Sequence, residues 1–254
     1  MSTNWDAFEP HAYWKQNYAS LRGDDRSLLS LTRDFFGYEQ TPTDGRRRGI
    51  DVGTGANLYP VLAMLPLCDE ITLLEYGARN CEWLSGEIQR YSPGWDPYWR
   101  TLCQHPAYSH FGYDVRRRVA RTAKVERGSV YELPEQRYHV GTMFFVAESI
   151  TTDIGQFHQA IHKFVNCLVP GAPFAAAFMR NSRGYTVAGQ DLPALAVTED
   201  QVADCLIDRT LDLVVSTVDS RAQFTDRENA ASMPLNKQLR SGYDGMILAC
   251  GRSK

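Results

Sequence analysis

Apolar positions along the chain fall into blocks of two periods, and the order of the blocks predicts an α/β fold. "PHAYWKQNY", from Pro10 to about Tyr18, predicts a short aromatic helix, with proline at a first helical position where its missing N–H costs nothing. A second helix is expected from about Asp25, with Leu28, Leu31 and Phe35 on one face, and the polar stretch "YEQTPTDGRRR" closes this lead-in. Strand and helix then alternate: a strand near Arg48 to Val52, a helix from Asn57, a strand at Ile71 to Leu74 and a helix from Ala78 to Tyr91. "HVGTMFFVA" at 139–147 is apolar without alternation, as a parallel strand covered on both faces would be. Phe157, Ile161, Phe164 and Leu168 mark an amphipathic helix, and "PGAPFAAAFM" at 170–179 turns into another buried strand. Thr198 and Gln201 form a capping-box pattern that opens a helix from Glu199 to about Arg209. Two strands, 211–218 and 245–251, follow with no helical period between them. The pattern predicts a doubly wound sheet with a strand pair at its C-terminal end, one domain over residues 1–254, and a helical N-terminal cap over 1–45. Residues 93–123 are longer and more aromatic than a crossover needs and are expected to line a substrate pocket, although Trp95, Tyr98 and Trp99 serve core packing equally well.

Composition narrows the function. No apolar run approaches the roughly eighteen residues that span a bilayer, and the N-terminus has neither the charged region nor the apolar core of a secretion signal, so a cytoplasmic protein is expected. The six cysteines lie far apart without a CxxC and read as reduced thiols. His158 and His162 have ligand spacing on a helix but lack the glutamate of an HExxH motif, so no metal is expected. The formal charge of −3 argues against a nucleic-acid partner, and the runs Arg46 to Arg48 and Arg116 to Arg118 read as solvated faces.

The chemistry concentrates in "RRGIDVGTGANLYPVL" at 47–62. Gly53 and Gly55 stand at a strand-to-helix turn, where a side chain would block a ligand's approach to backbone N–H groups. Glu75 lies twenty residues past Gly55, at the end of the next strand, where a carboxylate takes both hydroxyls of a ribose. A nicotinamide dinucleotide and S-adenosylmethionine both meet that description. Three features favour the methyl donor: Leu58 replaces the third glycine of GxGxxG, Asp51 offers negative charge near a cationic ligand, and the terminal strand pair suits a methyltransferase sheet.

Four segments resemble the nicotinamide, phenylethanolamine and thioether/indolethylamine methyltransferases: "FEPHAYWKQNY" at 8–18, "IDVGTGANLYP" at 50–60, "EYGARN" at 75–80 and "NSRGYTVAG" at 181–189. The resemblance implies a seven-stranded Rossmann-like sheet that binds S-adenosylmethionine and releases S-adenosylhomocysteine. It also implies that Tyr13 and Tyr18 close over the cofactor's carboxylate end, that Gly53, Thr54 and Tyr59 make turn contacts, and that Glu75 and Asn80 hold the ribose and amino-acid parts. Ser129 and Val130 stand where the family has an acidic and an apolar residue beside adenine.

The likeness breaks at the acceptor. Amine and pyridine members carry an acid after the fifth strand, whereas here the stretch is "AFMRNSRGY". The expected substrate contacts are therefore Glu148, Asp153, Arg180 and Tyr185, with Glu148 orienting an acceptor nitrogen and taking its proton. The reading is an N-methyltransferase of a small molecule, with O- or S-methyl transfer and a non-catalytic cofactor-binding module as alternatives.

Overall fold

The computed structural model describes residues 3–39, 46–111, 114–219 and 242–254. Two helices, α1 (Pro10–Asn17) and α2 (Gly23–Gly37), precede the sheet. Then come β1 (Arg48–Val52), α3 (Tyr59–Met64), β2 (Glu70–Glu75), α4 (Ala78–Arg90), α5 (Asp96–Leu102), α6 (Pro106–Ser109), α7 (Val115–Thr122) and β3 (Ala123–Arg127). The chain continues through β4 (Val140–Phe144), α8 (Ile154–Asn166), β5 (Pro173–Arg180), the two short strands β6 (Tyr185–Val187) and β7 (Gln190–Leu192), α9 (Glu199–Leu206), β8 (Thr210–Asp219) and β9 (Gly245–Ser253).

Seven strands form one sheet in the order β3-β2-β1-β4-β5-β9-β8. The pairs from β3 to β5 are parallel, and β9 runs antiparallel to both β5 and β8, which is the expected strand pair at the C-terminal end. Strand alternation divides the core between two faces. Ile71 and Leu73 pack with Leu28, Leu62, Leu84 and Val119 on one face, and Ile50, Met143 and Phe178 pack with Phe157, Ile161 and Val202 on the other. Helices therefore cover both faces, as parallel strands buried on both sides require.

Besides the short hairpin β6–β7, which the sequence reading does not foresee, the elements differ from it at two places, each for a local reason. β3 carries no apolar pattern because it is an edge strand whose Lys124, Glu126 and Arg127 are exposed. The strand expected through Ala147 ends at Phe144, because Phe145 turns the chain with a φ of 62°. A left-handed non-glycine residue costs about 1–3 kcal/mol and gives no signal in the sequence.

The strand order reverses direction between β1 and β4, and in open α/β sheets ligands bind at the carboxyl ends of the strands at such a point. The loops after β1, β2, β3 and β4 all converge there.

Candidate active site

A cavity of about 600 Å³ opens at this switch point. Its walls come from the β1 turn (Gly53, Thr54, Gly55), the end of β2 (Glu75, Tyr76), the loop after β3 (Ser129, Val130) and the segment after β4 (Phe145, Val146, Ser149). The N-terminal segment adds Trp5, Phe8, Tyr13 and Tyr18, and the β6–β7 region adds Tyr185 and Pro193.

The two glycines of the turn serve different purposes. Both have positive φ, 66° at Gly53 and 57° at Gly55, a region that favours residues without a Cβ. A Cβ on Gly53 would lie 2.6 Å from Val146 Cγ2, so this glycine lets the end of β4 close against the turn. A Cβ on Gly55 would meet nothing nearer than the Gly53 carbonyl at 3.8 Å, so the space above it is open to a ligand. Ligand approach thus explains Gly55, and strand packing explains Gly53.

Glu75 is buried at the cavity wall, where Oε2 accepts the Gly55 N–H at 2.8 Å. Its Oε1 accepts the Gly77 N–H at 2.8 Å and Asn80 Nδ2 at 3.2 Å. Burial raises the Glu75 carboxyl above its ordinary value, while the N–H groups of Gly77 and Gly55 oppose the rise. Asn80 lines the cavity, and its Oδ1 is buried with no hydrogen-bond partner among the described residues. Ser129 Oγ accepts the Tyr131 N–H at 3.2 Å, which fixes the loop after β3.

Ten of the residues singled out in the sequence line this cavity: Tyr13, Tyr18, Gly53, Thr54, Gly55, Glu75, Asn80, Ser129, Val130 and Tyr185. Five others lie behind or beside it. Asp51 is 1% exposed, and its Oδ1 accepts the Thr142 hydroxyl at 2.6 Å across the β1–β4 pair. Burial pushes its carboxyl up to about 7. Tyr59 backs the wall, with its ring edge toward Tyr18 at 6.0 Å and toward Phe144 at 5.7 Å. Glu148 is fully buried, and its Oε1 accepts the Met179 N–H and the Ser149 hydroxyl, both at 3.0 Å. Asp153 caps α8 by accepting the Gln156 N–H at 2.8 Å. Arg180 pairs with Glu199 at 3.0 Å and with Asp244 at 3.4 Å.

The aromatic insertion also takes a supporting place, since none of its described residues is a wall residue. Trp95, Tyr98 and Trp99 are buried in the core, and Tyr98 stacks on Tyr59 at 5.5 Å and 11°. Packing on the sheet explains this better than ligand contact, because fully buried rings contribute their large apolar area to the core. His158 and His162 stack at 6.3 Å on α8, outside the cavity walls.

Phe144, Phe145 and Ser149 are wall residues that the sequence reading did not assign. In a regular strand Phe144 and Phe145 would face opposite sides, and the left-handed turn at Phe145 brings both to the cavity. Trp5 and Phe8 were equally missed, although two aromatics in an otherwise polar terminal stretch are a readable sign of burial.

The cavity fits S-adenosylmethionine: an open glycine turn, a carboxylate at the end of β2 and the amide-bearing Asn80 line one continuous space. When bound, that cofactor supplies an electrophilic methyl group on a sulfonium.

Comparison with known proteins agrees. The human phenylethanolamine N-methyltransferase (Homo sapiens) is 24% identical over 230 residues, covering 82% of this chain and 79% of that protein. The Sus scrofa enzyme of the same name is 25% identical over 222 residues, covering 78% and 76%. Among solved structures, the N-methyltransferase NodS from Bradyrhizobium japonicum with S-adenosyl-L-homocysteine superposes at a TM-score of 0.54 with 12% identity, covering 99% of each chain. A geranyl diphosphate methyltransferase in complex with SAM superposes at 0.54 with 11% identity, covering 91% of this chain and 86% of its own. At such identities the two structures show the fold alone. The model of the NNMT/PNMT/TEMT family matches residues 1–236, so the chain belongs to this family of S-adenosylmethionine-dependent methyltransferases.

Proposed function

We propose that the protein methylates a nitrogen of an uncharged small molecule seated against Phe144, Phe145 and Tyr185. The supporting observation is the character of the walls: among the described wall residues Glu75 is the single ionisable acid or base outside the tyrosines, and both its oxygens are engaged. An ionised acceptor would lose its hydration there without a counter-charge, which is costly. The aromatic rings of Phe144, Phe145 and Tyr185 would instead suit the positive charge that the methyl donor supplies when bound. Alignment of donor and acceptor can supply roughly 7–11 kcal/mol of a direct methyl displacement, and the end of β4 and the N-terminal aromatics are the wall parts placed to hold it.

Glu148 keeps its proposed role in an indirect form. Its carboxylate reaches the cavity through the Ser149 hydroxyl, so a proton released by an N–H acceptor passes by way of Ser149. Arg180, expected among the substrate contacts, could grip a carboxylate on the acceptor only after its pairs with Glu199 and Asp244 open. An oxygen or sulfur acceptor is the second reading, favoured by the same scarcity of charged groups among the described wall residues.

Incubation with isotopically labelled S-adenosylmethionine and pools of small amines, amino acids and phenols tests the proposal, with product NMR locating the methyl group. Label on nitrogen of a neutral acceptor is expected. Label on oxygen or sulfur would favour the second reading, and label in no pool would overturn the small-molecule assignment.

A further inference from the structure

Two neighbouring carboxyls, Asp24 and Asp25, lie buried in the first turn of α2, 0% and 2% exposed. One guanidinium serves both. Arg22 grips Asp24 through two hydrogen bonds, at 3.1 and 2.7 Å, and stands 3.9 Å from Asp25 Oδ2. Tyr243, just before β9, donates its hydroxyl to Asp24 at 2.8 Å. Tyr59, at the start of α3, donates to Asp25 Oδ1 at 3.2 Å. Tyr98 of α5 completes the surroundings, with its hydroxyl on the carbonyl of Tyr18 at 3.2 Å. Asp24 thus holds the short contacts, and Asp25 is left with the long ones.

A hydroxyl bonded to an ionised carboxylate normally lies about 2.5–2.7 Å away. The 3.2 Å contact between Tyr59 and Asp25 is longer than such a charge-assisted bond. Like charges side by side in a dry interior disfavour double ionisation, so one proton stays on the pair while Arg22 neutralises the other carboxyl. Burial first, and then the neighbouring Asp24, push Asp25 up to about 8.

Tyr59 links this pair to the cavity. Its ring is held on one face by Tyr98 and meets Tyr18 and Phe144 edge-on, and both of those line the cavity. We propose that Asp25 is a positioning residue for the methyl donor: while it holds its proton it leaves Tyr59 where Tyr18 and Phe144 form the wall, and on ionisation it draws Tyr59 toward α2 and loosens that wall. Shortening the 3.2 Å contact to a charge-assisted bond of about 2.7 Å moves the Tyr59 hydroxyl by roughly 0.5 Å. A close-packed interior passes a shift of that size to its neighbours. The inference rests on the donor cavity described above and not on the identity of the acceptor.

The test is calorimetric titration of S-adenosylhomocysteine between about pH 6 and pH 9, comparing the intact chain with Asp25→Asn and Tyr59→Phe. Each variant is read against the intact chain at the same pH, which cancels titration of the ligand itself. A single proton with this midpoint leaves about one molecule in ten protonated at pH 9, so the intact chain should lose roughly tenfold in affinity relative to Asp25→Asn between pH 7 and pH 9. Tyr59→Phe should also flatten that loss, while the pH dependence of its melting temperature persists because Asp25 still titrates. A merely structural Asp25 would move stability and leave the affinity profile alone. If Asp25→Asn follows the profile of the intact chain, or if Tyr59→Phe retains the full loss, the proposal is overturned. Absence of binding at every pH would overturn the donor cavity itself, which is a different failure.

Discussion

Glu75 is the most constrained single residue of the site. Its carboxylate accepts two backbone N–H groups and one amide, and these bonds orient the carboxylate and fix the end of β2 to the glycine turn. Charge-assisted hydrogen bonds are worth about 1.5–3 kcal/mol each, and a buried donor left without its acceptor adds a penalty of similar size. Glu75→Ala should therefore weaken S-adenosylmethionine binding roughly tenfold to a hundredfold, measured by calorimetry, with the circular dichroism spectrum unchanged. Unchanged affinity would remove Glu75 from the ribose position. Sequence distance alone put Glu75 beside Gly55, because a strand end twenty residues on returns to the same sheet edge. Asp51 was expected near the ligand because a negative charge beside the glycine turn suits a cation, but its side chain turns to Thr142. Which way a buried side chain points depends on the neighbouring strand, and nothing near Asp51 in the sequence encodes that.

At the scale of elements, the N-terminal segment is held by two buried rings, Phe8 and Tyr18, and by exposed polar ties at Asp6 and Glu9. Asp6 accepts the Ala78 N–H and meets Arg127, Glu9 meets Arg79, and Phe8 packs with Val187 and Leu192. Exposed ion pairs contribute about 0–1 kcal/mol each, so this segment opens more readily than the sheet. Saturation with S-adenosylhomocysteine should slow limited proteolysis within residues 3–20, since Tyr13 and Tyr18 gain a ligand to close on. Equal cleavage rates with and without it would show that the segment is not a lid. Helix α8 poses the opposite case, in which a residue first assigned to substrate stabilises an element. Asp153 satisfies an N-terminal N–H of α8, so Asp153→Ala should lower stability by about 0.5–2 kcal/mol in chemical denaturation. Its KM for any acceptor found should stay unchanged, and a raised KM would return Asp153 to the pocket.

For the whole molecule, the buried carboxyls set a direction for stability against pH. Asp51 is raised from 3.8 to about 7 and Asp25 to about 8, both chiefly by burial. A carboxyl whose folded value is raised binds its proton more tightly in the native state. Its contribution is complete below the unfolded value and is lost as pH rises through the folded one. The fold should therefore lose melting temperature from about pH 4 toward pH 8, against the common trend for paired surface acids. Asp51→Asn should remove part of that slope, seen as a melting-temperature difference from the intact chain that grows with pH. A difference independent of pH would mean that Asp51 does not titrate in this range.

The sequence by itself determined the alternation of strands and helices, the glycine turn, the acid at the end of β2 and the capping box of α9, because each is written in local periodicity or in one residue's conformational preference. It also carried the family, through segments whose spacing the sheet preserves. It was silent on β3, since an edge strand needs little apolar surface, and on the turn at Phe145, since no residue type announces a left-handed phenylalanine. Only the tertiary structure decided which charges meet the cavity. Glu148, Asp153 and Arg180 lie at the strand ends where ligands bind, but each finds a protein partner first: a backbone N–H, a helix end, or two acids brought from α9 and the start of β9. Desolvation makes an unpaired buried charge costly, so these charges are satisfied within the packed chain, and among the described wall residues Glu75 is the one carboxylate left at the cavity.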